Sequence, residues 1–329
     1  MPEGNDLRGC RALITGGLGF IGSNLARRLV AAGVEVTLVD SLVPEYGGNM
    51  FNIAGIEDQV VVNISDIRDR YSMAYLVRDK DLLFNLAGQT SHMDAMADPY
   101  TDLEINCRAQ LSILEACREA NPEIKTIFAS TRQLYGQPEY LPVDENHPLQ
   151  PVDVNAINKL AGEQYHILYN NVYGIRTTVF RLTNTYGPRM RVKDARQTFL
   201  GVWIRCVTEN VPFEVWGGTQ LRDFTYVDDA VEAMVLAATC NASDGKIFNL
   251  GGDCSIDLRS LADLLTELSG SGRYEVREYP KERKAIEIGD YYADFSLAES
   301  SLGWTPSIPL AEGLKTTLSF YRKFLPYYI

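Results

Sequence analysis

Apolar residues in this chain come as short unbroken runs, separated by stretches in which they recur every three or four positions. Unbroken runs suit strands buried on both faces, and the 3.6-residue recurrence suits helices with one buried stripe. Runs at 11–15, 34–40, 60–63, 82–88, 125–129 and 176–181 are read as strands, and 20–32, 70–77, 102–119 and 154–170 as helices between them. Residues 89–99 and 130–151 read as polar loops. This alternation predicts an α/β chain built on a doubly wound parallel sheet with right-handed crossovers. Past Gly187-Pro188 the strands shorten and turns multiply, with helices expected at 198–208, 228–239, 258–268 and 310–324.

The first strand runs directly into Gly16-x-x-Gly19-x-x-Gly22. In a Rossmann-type fold this spacing serves a dinucleotide: a tight turn, a close approach to pyrophosphate, and close packing of a helix whose first N–H groups are free. Phe20 and Ile21 lie in that helix's first turn. Asp40 ends the second strand about 20 residues on, where a carboxylate accepts both ribose hydroxyls and repels a 2′-phosphate, so NAD is favoured over NADP. Asp40 also reads as a strand-end turn former. Asp66 and Ile67 close the third strand, where they could hold and cover an adenine, and Asp66 reads equally well as a helix N-cap. Leu86, Ala87 and Gly88 end the fourth strand in small residues, as a cofactor lying across it requires. Residues 1–185 are expected to form the NAD-binding domain, also receiving segments near 220–250, and 186–329 a smaller α/β substrate-binding region.

Composition narrows the classes. A formal charge of −12 and a pI near 4.8 argue against wrapping nucleic acid or lying on an anionic membrane. Any anionic ligand must therefore be met by local arginines. The first six residues lack the basic start of an export signal, and no apolar run approaches the ~18 residues of a membrane span. The six cysteines form no CxxC pair and are too sparse for a disulfide scaffold, which suggests a reducing, cytoplasmic setting. No metal site is expected.

The motifs together resemble the extended short-chain dehydrogenase/reductase family, in its nucleotide-sugar epimerase/dehydratase/decarboxylase branch. The resemblance runs through Thr15-Gly-Gly-Leu-Gly-Phe-Ile-Gly22, Asp66-Ile-Arg-Asp69, Asn85-Leu-Ala-Gly88, Asn106, Ser130-Thr-Arg-Gln-Leu-Tyr-Gly136 and Asn158-Lys-Leu-Ala-Gly-Glu163. It continues through Arg181-Leu-Thr-Asn-Thr-Tyr-Gly-Pro-Arg189, Arg222-Asp-Phe-Thr-Tyr-Val-Asp-Asp229, Phe248-Asn-Leu-Gly-Gly252 and Leu302-Gly-Trp-Thr-Pro306. It implies a bound NAD that transiently oxidises a sugar hydroxyl, usually at C4, before epimerisation, elimination or decarboxylation. It also implies a homodimer, joined through a four-helix bundle by the helices at 102–119 and 154–170.

Two departures bear on the chemistry. The family's general base is a tyrosine four residues before a lysine, so that both face the nicotinamide. Lys159 matches the lysine, but the tyrosine position is Asn155. An amide has no acid–base use, so three readings stay open: another base, among Tyr135, His92, Thr131 and Lys159; a step needing none; or a catalytically silent binding protein. Where the family's dehydratases carry Asp-Glu after the threonine matched by Thr131, this chain has Arg132 and Gln133, which disfavours 4,6-dehydration. The stretch from Gly187 to Arg196 resembles UDP-glucuronate decarboxylases, in which an arginine at the Arg196 place meets the sugar acid. The matched positions also imply Asn184, Arg222 and Arg283 at the diphosphate; Arg132 could clamp a carboxylate or diphosphate, Gln133 stands where the family's decarboxylases carry a Glu, and His92 and Gln133 are expected with it at the substrate.

Overall fold

The computed structural model describes residues 7–329, so the N-terminal stretch tied to the export-signal reading lies outside the described residues. Six strands form in the expected places: β1 (Arg11–Thr15), β2 (Glu35–Asp40), β3 (Val60–Ile64), β4 (Leu82–Asn85), β5 (Lys125–Thr131) and β6 (Thr177–Leu182). Shorter strands follow as β7 (Asn184–Tyr186), β8 (Phe213–Trp216), β9 (Leu221–Tyr226), β10 (Lys246–Asn249), β11 (Ser255–Asp257) and β12 (Tyr274–Arg277). The large sheet runs β10-β6-β5-β4-β1-β2-β3 with every neighbouring pair parallel. Strand order reverses between β1 and β4, so the crevice that receives ligands in such sheets opens at their carboxyl ends. Thr15 ties the two ends together, its hydroxyl accepting from Leu86 N and Ala87 N at 3.1 Å each and donating to Asn85 Oδ1 at 2.9 Å.

The helices covering this sheet are α1 (Phe20–Ala31), α2 (Arg70–Leu76), α3 (His92–Ala97), α4 (Pro99–Leu103), α5 (Ala109–Ala120) and α6 (Val154–Tyr173). Residues 89–99, expected as loop, thus contain α3, whose N-cap Ser91 accepts from Asp94 N. The helix expected at 102–119 is continuous in path but widens into a π-type turn at Glu104–Arg108. Two contacts account for it. Gln110 Nε2 donates to Ile105 O at 3.0 Å, and α6 crosses so close that a Cβ on Gly162 would lie 2.9 Å from Asn106 O.

The remaining helices are α7 (Phe199–Glu209), α8 (Val227–Thr239), α9 (Leu258–Ser269), α10 (Lys281–Lys284), α11 (Ser296–Leu302) and α12 (Leu310–Phe324). Helix α8 packs on α1, and β10 joins the large sheet beside β6, so this part of the C-terminal half returns to the first region. The rest builds a three-stranded sheet, β11-β9-β7, and a β12-β8 pair, overlaid by α7, α9 and α12. One apolar core runs through both regions, joining Ile14 and Leu25 to Leu261 and Leu314.

Candidate active site

The groove over the carboxyl ends of β1 to β4 is built by the glycine turn. Gly16 has φ +67, and a Cβ there would lie 3.0 Å from Ala87 Cα. A Cβ on Gly22 would strike the carbonyl of Gly16. The N-cap of α1 is Gly19 with no side-chain bond to the first N–H groups, which leaves them for an anion. Gly16, Gly19, Phe20, Ile21 and Gly22 all line this groove. So do Asp40, Asp66 and Ile67 from the ends of β2 and β3, and Leu86, Ala87 and Gly88 beyond β4.

Asp40 accepts from Leu18 N at 3.1 Å and Leu42 N at 3.0 Å, and burial raises its carboxyl above the ordinary range. The turn-forming role and the groove-lining role therefore coexist in one side chain. Asp66 is not the cap of α2; Asp69 is, accepting from Tyr71 N. Asp66 instead pairs with Arg68, which holds its carboxyl below the usual range.

These residues fit NAD. Beside the uncapped helix end, Asn106 Oδ1 is buried without a partner, and a Cβ on Gly88 would sit 2.9 Å from both that oxygen and Lys159 Nζ. Lys159 Nζ donates to Ala129 O at 3.1 Å, and burial pulls its ammonium down to about 8, with Asp102 opposing the shift. An acceptor and a donor thus converge at Gly88, as two ribose hydroxyls require.

Asn155 and the candidate bases fare differently. Asn155 donates both amide hydrogens, to Gln89 O at 2.8 Å and to Asp102 Oδ2 at 2.9 Å. Asp102 is fully buried and also accepts from Asn106 at 2.9 Å and Asn158 at 2.8 Å. Asn155, at the place of the family's tyrosine, is therefore a member of a buried amide–carboxylate knot. Tyr135 is likewise held in a buried network. It is fully buried, donates to Asn249 Oδ1 at 2.7 Å, accepts from Arg181 at 2.7 Å, and burial pushes its phenol up to about 12. Thr131 ends β5 and caps the short turn Arg132–Tyr135, accepting from Gln133 N at 3.2 Å. His92 alone lies on a cavity wall, with Nδ1 turned inward to within 2.9 Å of Asp153 Oδ2.

That cavity, of about 960 Å³, lies beside the groove, and Gln197 lines both. The expected substrate residues converge on it from six places: His92 of α3, Arg132 and Gln133 after β5, Asn184 of β7, Arg196 before α7, Arg222 of β9 and Arg283 of α10. Their charges are not equivalent. Arg196 is held by Asp94 at 2.7 Å and Asp194 at 3.0 Å. Arg222 pairs with Glu287 and donates to the carbonyls of Leu221 and Gly289. Arg132 donates to Asn184 Oδ1 at 3.2 Å and lies 5.1 Å from the Tyr291 ring, with Nη1 buried and without an acceptor. Burial, with Arg222 nearby, pulls its guanidinium down to about 10. Arg283 stacks 4.5 Å over Trp216. Among the described residues neither Arg132 nor Arg283 has a carboxylate within ion-pair distance.

Sequence reasoning missed Asp102, Asp153 and the aromatic wall of Trp216 and Tyr279. Asp153 carried a signal, since it stands three residues before Ala156, whose N–H it caps at 2.8 Å. Asp102 carried none, because its amide partners lie up to 56 residues away.

The doubly wound sheet, the uncapped glycine turn and the adjoining cavity define an α/β enzyme that holds a dinucleotide beside a second ligand. More particularly, the chain belongs to the NAD dependent epimerase/dehydratase family, whose model matches residues 12–251, and NAD is its cofactor. It is 31% identical over 318 residues to UDP-glucose 4-epimerase of Mycolicibacterium smegmatis, covering 95% of this chain and 98% of that protein. It is also 31% identical over 326 residues to UDP-glucuronic acid decarboxylase 1 of Xenopus tropicalis, covering 96% of this chain and 73% of the relative. Among solved structures, UDP-glucose 4-epimerase of Thermotoga maritima with UDP-glucose matches with a TM-score of 0.87 at 29% identity, over 96% of this chain and 99% of that one. The homologues are thus enzymes that modify nucleotide sugars by more than one outcome.

Proposed function

We propose that the enzyme acts on a nucleotide sugar bearing a carboxylate on the sugar, of the UDP- or TDP-glucuronate kind, by transient oxidation at C4 followed by epimerisation or decarboxylation. The observation that carries this reading is Arg132. It is a half-buried arginine on the cavity wall whose Nη1 is buried and unpartnered, with no carboxylate within ion-pair distance among the described residues and Asp223 and Glu287 acting on it only from farther off. A desolvated cation of this kind is stabilised most by an anionic ligand that accepts from it. Arg196, the residue expected to meet the sugar acid, already has two carboxylates. Arg283 on Trp216 supplies a second cation for the diphosphate, with Asn184 and Arg222 framing the cavity between. NAD supplies a reversible hydride acceptor, and Lys159 and Asn106 hold its ribose.

Calorimetric titration of UDP-glucuronate and UDP-glucose tests the reading. The uronate is expected to bind more tightly, and Arg132→Met to remove about 1.5–3 kcal/mol from the uronate alone, the range for a hydrogen bond to a charged group. Equal binding of both sugars by the unaltered protein contradicts it. We further propose a homodimer, supported by the exposed apolar row Ile157, Leu168 and Val172 along α6 beside Tyr100 and Leu103 of α4, and a cytoplasmic location, where the deeply buried Cys117 thiol stays reduced.

A further inference from the structure

Resting on that reading, we propose that His92, positioned by Asp153, is the general base that takes the proton of the sugar hydroxyl in place of the absent tyrosine. The side chain of Asp153 is fully buried and fixed from two directions. Its Oδ1 accepts from Ala156 N at 2.8 Å as the N-cap of α6, and its Oδ2 accepts from Gln133 Nε2 at 3.2 Å. The same Oδ2 lies 2.9 Å from His92 Nδ1, a contact set off the line of an ideal hydrogen bond. Burial works against the Asp153 charge, yet contact with His92 keeps its carboxyl below the usual range, so the residue stays anionic. An anion at Nδ1 stabilises the imidazolium formed when Nε2 takes a proton.

The position of the ring follows from its neighbours. Thr90 lines the dinucleotide groove, and Ser91 and His92 line the adjoining cavity, so the imidazole stands where the two hollows meet. Its side chain is 34% exposed, and Nε2 has no bond to another described residue. Other charges on the same cavity include Asp94 on its own helix, paired with Arg196 at 2.7 Å, Asp194, also on Arg196 at 3.0 Å, and Arg132, Arg222 and Glu287. The competing groups are committed elsewhere: Asn155 to Asp102, Tyr135 to Asn249 and Arg181, and Lys159 to Ala129 O.

The step balances. The hydroxyl O–H bond breaks and its proton passes to Nε2, while NAD, when bound, would supply the acceptor for the hydride that leaves C4. The sugar is oxidised by two electrons to the ketone, and the proton stays on the imidazole for return when the hydride comes back.

Two measurements test the assignment. His92→Gln is expected to slow reduction of bound NAD by a nucleotide sugar about 10²–10⁴-fold, with NAD affinity unchanged, and added imidazole to restore part of the rate in His92→Ala. In the cofactor-free protein, diethyl pyrocarbonate is expected to modify residue 92 first, because His147 and His166 are buried, and UDP-glucuronate is expected to slow that modification. A wild-type rate in His92→Gln, or modification at residue 92 that the sugar nucleotide does not slow, overturns the base assignment alone. No NAD reduction by the unaltered protein with any nucleotide sugar overturns the oxidation reading, and the base falls with it.

Discussion

At the scale of single residues, Asn155 shows how an active-site position can be rebuilt as a support. A tyrosine there would leave Gln89 O and Asp102 Oδ2 each short of a buried donor. Asn155→Tyr is therefore expected to lower stability by about 1–3 kcal/mol, read as a fall in the denaturant midpoint, and not to install a working base. The departure from the family pattern was plain in the sequence, but its cause was not, because Asp102 meets Asn155 only through the tertiary fold. Asp40 lines the groove, and if it holds the ribose, Asp40→Ala is expected to weaken NAD binding by about 1–3 kcal/mol through two lost hydrogen bonds, measured by calorimetry. His166 gives the pH dependence. Burial pulls its imidazole from 6.5 to about 4, so between those values the unfolded chain binds a proton that the folded chain does not. Stability must then rise with pH across that window and be lost on acidification, by about 3 kcal/mol in all. Denaturant melts from pH 7 to 4 are expected to show this slope, and His166→Phe, which keeps the stack on Phe128, to flatten it.

At the scale of elements, strands were legible because parallel strands are apolar on both faces, and all six expected ones form. Helix continuity was not. Nothing in the local pattern of residues 102–119 announces the widened turn, which depends on Gln110 reaching back to Ile105 and on α6 passing against Asn106. That turn sits between Asp102, which anchors Asn155, and Asn106, whose free oxygen faces Gly88. Gly162→Ala is expected to push the crossing helices apart, costing about 1–3 kcal/mol of stability by overpacking and weakening NAD binding measurably by calorimetry. Helix α3 was hidden by its length of only six residues, and its Ser91 cap is the signal that local reading passed over.

At the scale of the whole molecule, an acidic chain meets its anionic ligands locally. Two cavity arginines, Arg196 and Arg222, are paired with carboxylates of the chain, while Arg132 and Arg283 have none within ion-pair distance among the described residues. Which arginines those would be was illegible in the sequence, since ion pairing is decided by tertiary neighbours. The fold, the family and the NAD groove could be read from spacing and motifs. The exposed apolar row on α6 belongs to this scale too, and light scattering at micromolar concentration is expected to give twice the 36.8 kDa chain mass. On the proposed reading, NAD in this fold oxidises a nucleotide sugar transiently. The most direct test mixes the NAD-loaded enzyme anaerobically with UDP-glucuronate and follows the reduced-nicotinamide absorbance while products are weighed by mass spectrometry. The account predicts a transient rise in that absorbance and a product that is either the C4 epimer or the sugar lacking its carboxyl carbon. Tight binding of the sugar nucleotide with no absorbance change and no product contradicts it.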